Sequence, residues 1–174
     1  AGVNHYLILS GTIPPFDRER MIRDMQKICD YQIKLFGGVA PYSGYGFILN
    51  LSGEIYTGLE HRNSTLLMAP YYAMPNLNHS NDEDYIKLLG LISHEFFHTW
   101  NVKRIKPQVF TPYNLEQENY TKLLWWFEGV TSYYDDLVLY RSGVIDREKY
   151  LGFITDNLNN VYKFAGVTQQ TLAN

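Results

Sequence analysis

The chain reads as an α+β domain, because its strand-like segments come first and its helix-like segments follow. Residues 1–80 hold short β-rich runs punctuated by Gly, Pro and Asn, with one helix among them. Residues 81–174 carry apolar residues at helical spacing over three long stretches. Hydrophobic residues make up 45% and charged residues 19% of the 174, a globular balance, and the length suits a single domain with a real core.

Taken in order, "HYLILS" predicts a strand that ends at "GTIPP". Asp17 to Phe36 predicts a helix stopped by Gly37-Gly38. "YGFILNLS" and "EIYTGLE" are β-rich runs separated by Ser52-Gly53, so they are expected to form a hairpin; "STLLMAP" follows the polar turn "HRN" as another strand. Ser80 and Glu83 have the spacing of a capping box, opening a helix that carries "YIKLLGLISHEFFHTWNVKRI" up to Pro107. After the polar connection "KPQVFTPYNLEQEN", a second long helix is expected from near Tyr120 to the Ser142-Gly143 stop. A third is expected over Asp146 to Phe164, and the tail "AGVTQQTLAN" shows no pattern.

Charge and cysteine content exclude several classes. A formal net charge of −3 with no basic stripe is not a nucleic-acid footprint. No apolar run is long enough to span a membrane. Cys29 is the single cysteine, so no internal disulfide forms and the compartment stays undecided. It shares an apolar helical stripe with Met21, Ile22, Met25, Ile28 and Ile33, which predicts a buried thiol.

The chemistry starts at "SHEFFHTW". Residues four apart on a helix share a face, so His94 and His98 can present two imidazole nitrogens to one ion. Glu95 lies about 100° around the helix, where it flanks such an ion rather than binding it and can take a proton from water. In an apolar helix this trio is costly to bury unpartnered, which points to a metal, with zinc the usual occupant of such a set. Two ligands are one short of the three that a hydrolytic zinc site uses. The spacing of the aminopeptidase N group lands on Gln117, a poor ligand, flanked by Glu116 and Glu118 in a polar connection. Glu128, the only carboxylate in "WWFEGVTSYY", is the better third ligand; the plainer alternative is a capped or salt-bridged glutamate before Gly129. Asp135 lies about 20° from Glu128 on the helical wheel and could accept the second N–H of a ligating histidine, or be solvated like its neighbour Asp136.

"HEFFHTWNVKRIKP", "WWFEGVTSYYDDL" and "TGLEHRNST" together resemble the glycyl aminopeptidase family of zinc metallopeptidases, gluzincins related to aminopeptidase N and thermolysin. The resemblance spans Thr57 to Leu137. It implies a thermolysin/aminopeptidase-N-like zincin catalytic domain, with a small N-terminal mixed sheet ahead of a helical half. It implies one zinc ion on His94, His98 and Glu128, with Glu95 as general base. "TGLEH" stands where related aminopeptidases hold the substrate's free amino group, so Glu60 is implied as the amine anchor and Gly58 as a point of close backbone approach. Without the resemblance, Glu60 is a surface strand residue paired with Arg62 or Arg104, and His5, His61 and His79 are scaffold.

The implied function is removal of a small N-terminal residue, Gly or Ala, from a peptide with a free N-terminus. The alternatives are a thermolysin-like endopeptidase and a non-catalytic peptide-binding fragment. The family's Tyr-x-Lys-Gly segment, which supplies an oxyanion tyrosine, has no counterpart here; Tyr133 and Tyr134 stand on the ligand helix, where packing is their plainer role. Residues 1–174 are accordingly expected to be one catalytic domain excised from a longer chain whose flanking domains are missing, and to hydrolyse weakly if at all in isolation.

Overall fold

The computed structural model describes residues 2–79, 82–164 and 166. The element order is β1 (Asn4–Gly11), α1 (Arg18–Leu35), β2 (Gly44–Ser52), β3 (Thr57–Glu60), β4 (Ser64–Pro70), α2 (Asp82–Phe97), a π-helical segment Trp125–Val130 running into α3 (Thr131–Arg141), and α4 (Arg147–Lys163). A small mixed sheet packed against helices is therefore the architecture.

Helix α1 begins where the Asp17 carboxylate accepts the N–H of Arg20 at 2.9 Å, and ends where Gly37 and Gly38 take positive φ (100° and 82°), a conformation glycine adopts without cost. Its apolar stripe buries Met21, Met25, Ile28, Cys29 and Ile33. Ile22 is 54% exposed and falls outside that stripe, because one residue past Met21 the helix has turned toward solvent.

The sheet order is β1-β2-β4-β3, with β1 parallel to β2, β2 parallel to β4, and β3 antiparallel to β4. The hairpin expected between β2 and β3 does not form. The hairpin joins β3 to β4 across "HRN", closed by His61 N–H donating to Ser64 O at 2.8 Å. The reason is burial: β2 and β4 both carry the long apolar runs suited to the sheet's centre, whereas short β3, with Gly58 and Glu60, suits an edge.

One face of the sheet (Tyr45, Phe47, Leu49 and Leu51 of β2, Leu67 and Ala69 of β4) is buried in the core with α1 and α2. On α2, Tyr85, Leu88, Leu89, Ile92 and Phe96 are fully buried. Gln32 of α1 is also fully buried and donates to Ser93 O (2.8 Å) and Ser93 Oγ (3.1 Å), tying α1 to the helix that carries the histidines.

Two boundaries differ from expectation. Helix α2 ends at Phe97 rather than before Pro107, and the chain leaves through successive turns in which Val102 takes a φ of 104°. The second long helix starts at Trp125 rather than Tyr120. Upstream of it, Asn119 Nδ2 donates to Asn114 O and Gln117 O, so local side-chain bonds compete with helix formation there. The third helix follows expectation, with Asp146 as its cap. Ser80, proposed to cap α2, lies outside the described residues, as does the tail apart from Gly166. No helix among the described residues is long and apolar enough to cross a membrane.

Leu88→Ala, which empties a fully buried site between helix and sheet, is expected to lower unfolding free energy by about 2–5 kcal/mol in urea melts, with the slope unchanged.

Candidate metal centre

Two elements bring the polar side chains together. Helix α2 supplies His94 and Glu95, and His98 follows in its last turn, where its N–H still donates to His94 O at 3.3 Å. The one-turn spacing of the two imidazoles therefore survives although the helix proper has ended. Glu128 comes from the π-helical segment, a wider turn often found where a helix must re-aim a functional side chain.

His94 Nε2 is 3.4 Å and His98 Nε2 is 3.6 Å from the same oxygen, Glu128 Oε2. The candidate ligand atoms of His94, His98 and Glu128 lie within 4.8 Å of one another. The opposite ring nitrogens are both engaged. His94 Nδ1 donates to Asp135 Oδ2 at 2.9 Å, and His98 Nδ1 donates to Asn101 O at 2.9 Å. Each Nε2 thereby faces Glu128, the orientation that a ligating pair needs once its proton is lost.

Asp135 is itself tied down, its backbone carbonyl accepting from Ser93 Oγ at 3.0 Å and its Oδ1 accepting from Asp136 N–H at 2.6 Å. Asn101 is a residue that the sequence did not point to. Its carbonyl orients His98, while its Nδ2 donates to Thr131 Oγ1 (3.0 Å) and to the carbonyls of Trp126 and Phe127 (3.3 Å each), pinning the Glu128 segment beside α2. Nothing in "HTWN" signals that role, since it depends on which segment packs opposite.

Electrostatics follow from this arrangement. Burial works to lower the pKa of His94, but hydrogen bonds with Asp135 and Glu128 outweigh it and raise it to about 10. Those two histidines hold the Glu128 carboxyl well below the ordinary carboxylate range. Burial pushes Glu95 up to about 7, with the neighbouring charges of Glu60 and Glu128 adding to the rise and those of His98 and His94 opposing it. Glu95 Oε2 is buried and has no hydrogen-bond partner among the described residues.

The remaining predicted residues sit on β3, whose outer edge carries no strand among the described residues. Glu60 lies in the same cluster, its carboxylate within 4.8 Å of ligand atoms of Glu95 and His98. Neither arginine pairs with it: Lys103 Nζ does, at 3.0 Å, while Arg104 donates to backbone carbonyls of Thr99, Pro41 and Arg62. Gly58 lies directly against Glu95, and a Cβ at that position would overlap the Glu95 carboxylate. Tyr134 stacks on Phe97 with centroids 5.1 Å apart, a packing contact.

Fold and donor set together define an α/β domain with a candidate metal-binding cluster. Which kind is answered by comparison: residues 87–174, half of the chain and including both segments of that cluster, match the family described as M61 glycyl aminopeptidase. The chain belongs to that family. Among solved structures it is similar to an aminopeptidase N family protein from Idiomarina loihiensis, at 42% identity and a TM-score of 0.94, over 99% of this chain and 29% of that one. The chain thus spans less than a third of that relative's length. No match is found among curated proteins.

Two outcomes are expected. Gly58→Ala lowers stability by about 1–3 kcal/mol through overpacking against Glu95, and most of that cost disappears in a Glu95→Ala background; a double-mutant cycle of chemical denaturation reads both. Because an ion at Nε2 must displace the proton that His94 holds up to about pH 10, affinity for a divalent cation rises with pH across the range below 10, with proton release on binding. Calorimetry in buffers of different ionisation heat measures that release, and Glu128→Ala abolishes most of the metal loading.

Proposed function

We propose that residues 1–174 form the catalytic domain of a zinc aminopeptidase with a zincin fold, removing small N-terminal residues (Gly or Ala) from peptides. The observation that carries this reading is the convergence of His94 Nε2, His98 Nε2 and Glu128 Oε2 beside a buried carboxylate, Glu95, next to an open sheet edge. The fit to a metal rests on the donors. Both imidazoles are oriented from behind by Asp135 and Asn101, and two nitrogens with one carboxylate oxygen are a set that suits zinc in hydrolytic sites. When bound, zinc supplies Lewis acidity, polarising a carbonyl and lowering the pKa of water to about 7.

The protein's own residues then divide the work. Glu95, raised by burial to about 7, accepts a proton from water at the carboxylate and returns it to the leaving amine. A cation held by the neighbouring ligands would favour the charged form of Glu95 and oppose that rise. The outer edge of β3 offers backbone groups that can pair with an extended peptide, and Glu60, in the same cluster, holds its terminal ammonium. That the relative is covered over only 29% of its length supports reading this chain as one domain of a longer protein, with the oxyanion tyrosine and flanking domains supplied from elsewhere.

One observation favours a second reading, an endopeptidase: Glu60 is paired already, with Lys103. Peptide substrates differing only by N-acetylation separate the two. In the full-length, zinc-loaded protein the free-amine peptide is expected to be cleaved and its acetylated twin largely spared, whereas equal rates indicate an endopeptidase. Glu95→Gln is expected to lower kcat by about 10²–10⁴-fold with zinc content retained, as read by steady-state kinetics and elemental analysis.

A further inference from the structure

We propose that Lys103 is a built-in occupant of the amine subsite, holding Glu60 in the free protein and yielding that carboxylate when a peptide with a free N-terminus binds. This rests on the reading of Glu60 as the amine anchor. Lys103 Nζ lies 3.0 Å from Glu60 Oε1, with the two side chains only 21% and 23% exposed. The same carboxylate lies within 4.8 Å of ligand atoms of Glu95 and His98, so the ion pair forms part of the wall of the site.

The loop that presents Lys103 is held in place. Its backbone N–H donates to His98 O at 3.1 Å, and the preceding Val102 donates to Ile105 O at 3.0 Å. The following Arg104 fastens the loop through bonds to Thr99 O, Pro41 O, Arg62 O and Asn63 Oδ1, at 2.6 to 3.2 Å. From that base the flexible lysine stem carries a point charge that can swing away without moving the loop.

A lysine ammonium and a peptide α-ammonium are the same chemical group. A tethered copy competes at high effective concentration, and the apparent affinity of the incoming amine falls by the fraction of time that Glu60 is engaged. The device moderates the free-amine preference: a ligand with its own ammonium gains only the difference between its pairing with Glu60 and the pairing that Lys103 gives up, while an acetylated ligand leaves the Lys103 pair in place.

The test uses the full-length, zinc-loaded protein in a Glu95→Gln background, so that binding is measured without turnover. The probes are triglycine and N-acetyl-triglycine, and the readout is the ratio of their dissociation constants by calorimetry. Lys103→Met is expected to tighten triglycine binding roughly three- to tenfold, leaving the acetylated peptide unchanged, while Lys103→Arg, which keeps the charge, changes neither by as much. Lys103→Gln serves as the second neutral variant should the methionine disturb folding.

Unchanged or weaker triglycine binding in the neutral variants overturns the proposal, as does equal tightening for both peptides. Glu60→Gln separates this from the underlying reading. If it leaves the free-amine preference intact, Glu60 is not the anchor and both ideas fall; if it removes the preference while Lys103→Met gains nothing, only the role of Lys103 falls.

Discussion

Two imidazoles set in an apolar helix are costly unless their ring nitrogens are matched, and that constraint organises the helical half of the molecule. His94 leans on Asp135 and His98 on the carbonyl of Asn101. Their remaining nitrogens face Glu128, whose segment is pinned by the Asn101 amide. Each tether orients a side chain of the cluster and at the same time locks one element to another, so site geometry and tertiary packing are the same set of bonds.

The sheet contributes in a different way. Its buried face anchors α1 and α2, and Gln32 reaches from α1 to the Ser93 turn of α2, fixing the helix immediately before His94. Its edge strand β3 approaches α2 so closely that only glycine fits at position 58 against Glu95. Glu95, whose pKa burial raises to about 7, therefore has its position set from the strand side as well as from its own helix. The same strand carries Glu60, so the groups assigned to proton transfer and to amine capture are held on neighbouring surfaces of one rigid unit.

Charge balance across the site is local. Glu60, Glu95 and Glu128 gather around two histidines and one lysine, and each carboxylate takes a different state: Glu128 held charged by the histidines, Glu95 raised by burial, Glu60 paired with Lys103. Carboxylates in different surroundings can serve different roles, and here the surroundings differ in the way that the proposed division into metal ligation, proton transfer and recognition requires.

Much of this was legible in one dimension. Helical spacing put His94 and His98 on one face, the lone carboxylate in "WWFEGVTSYY" singled out Glu128, and glycine and proline marked most element ends, because periodicity and turn chemistry act over a few residues. The strand pairing was not legible: β2 and β4 meet across β3 in sequence, and which apolar run takes the sheet's centre depends on total burial rather than on the intervening turn. Nor was the role of Asn101, the fit of Gly58 against Glu95, or the pairing of Lys103 with Glu60, since each is a contact between segments far apart in the chain. The sequence by itself determined which chemical groups the site would contain; only the tertiary structure decided which atoms of those groups face one another, because that is set by how helices and strand edge pack.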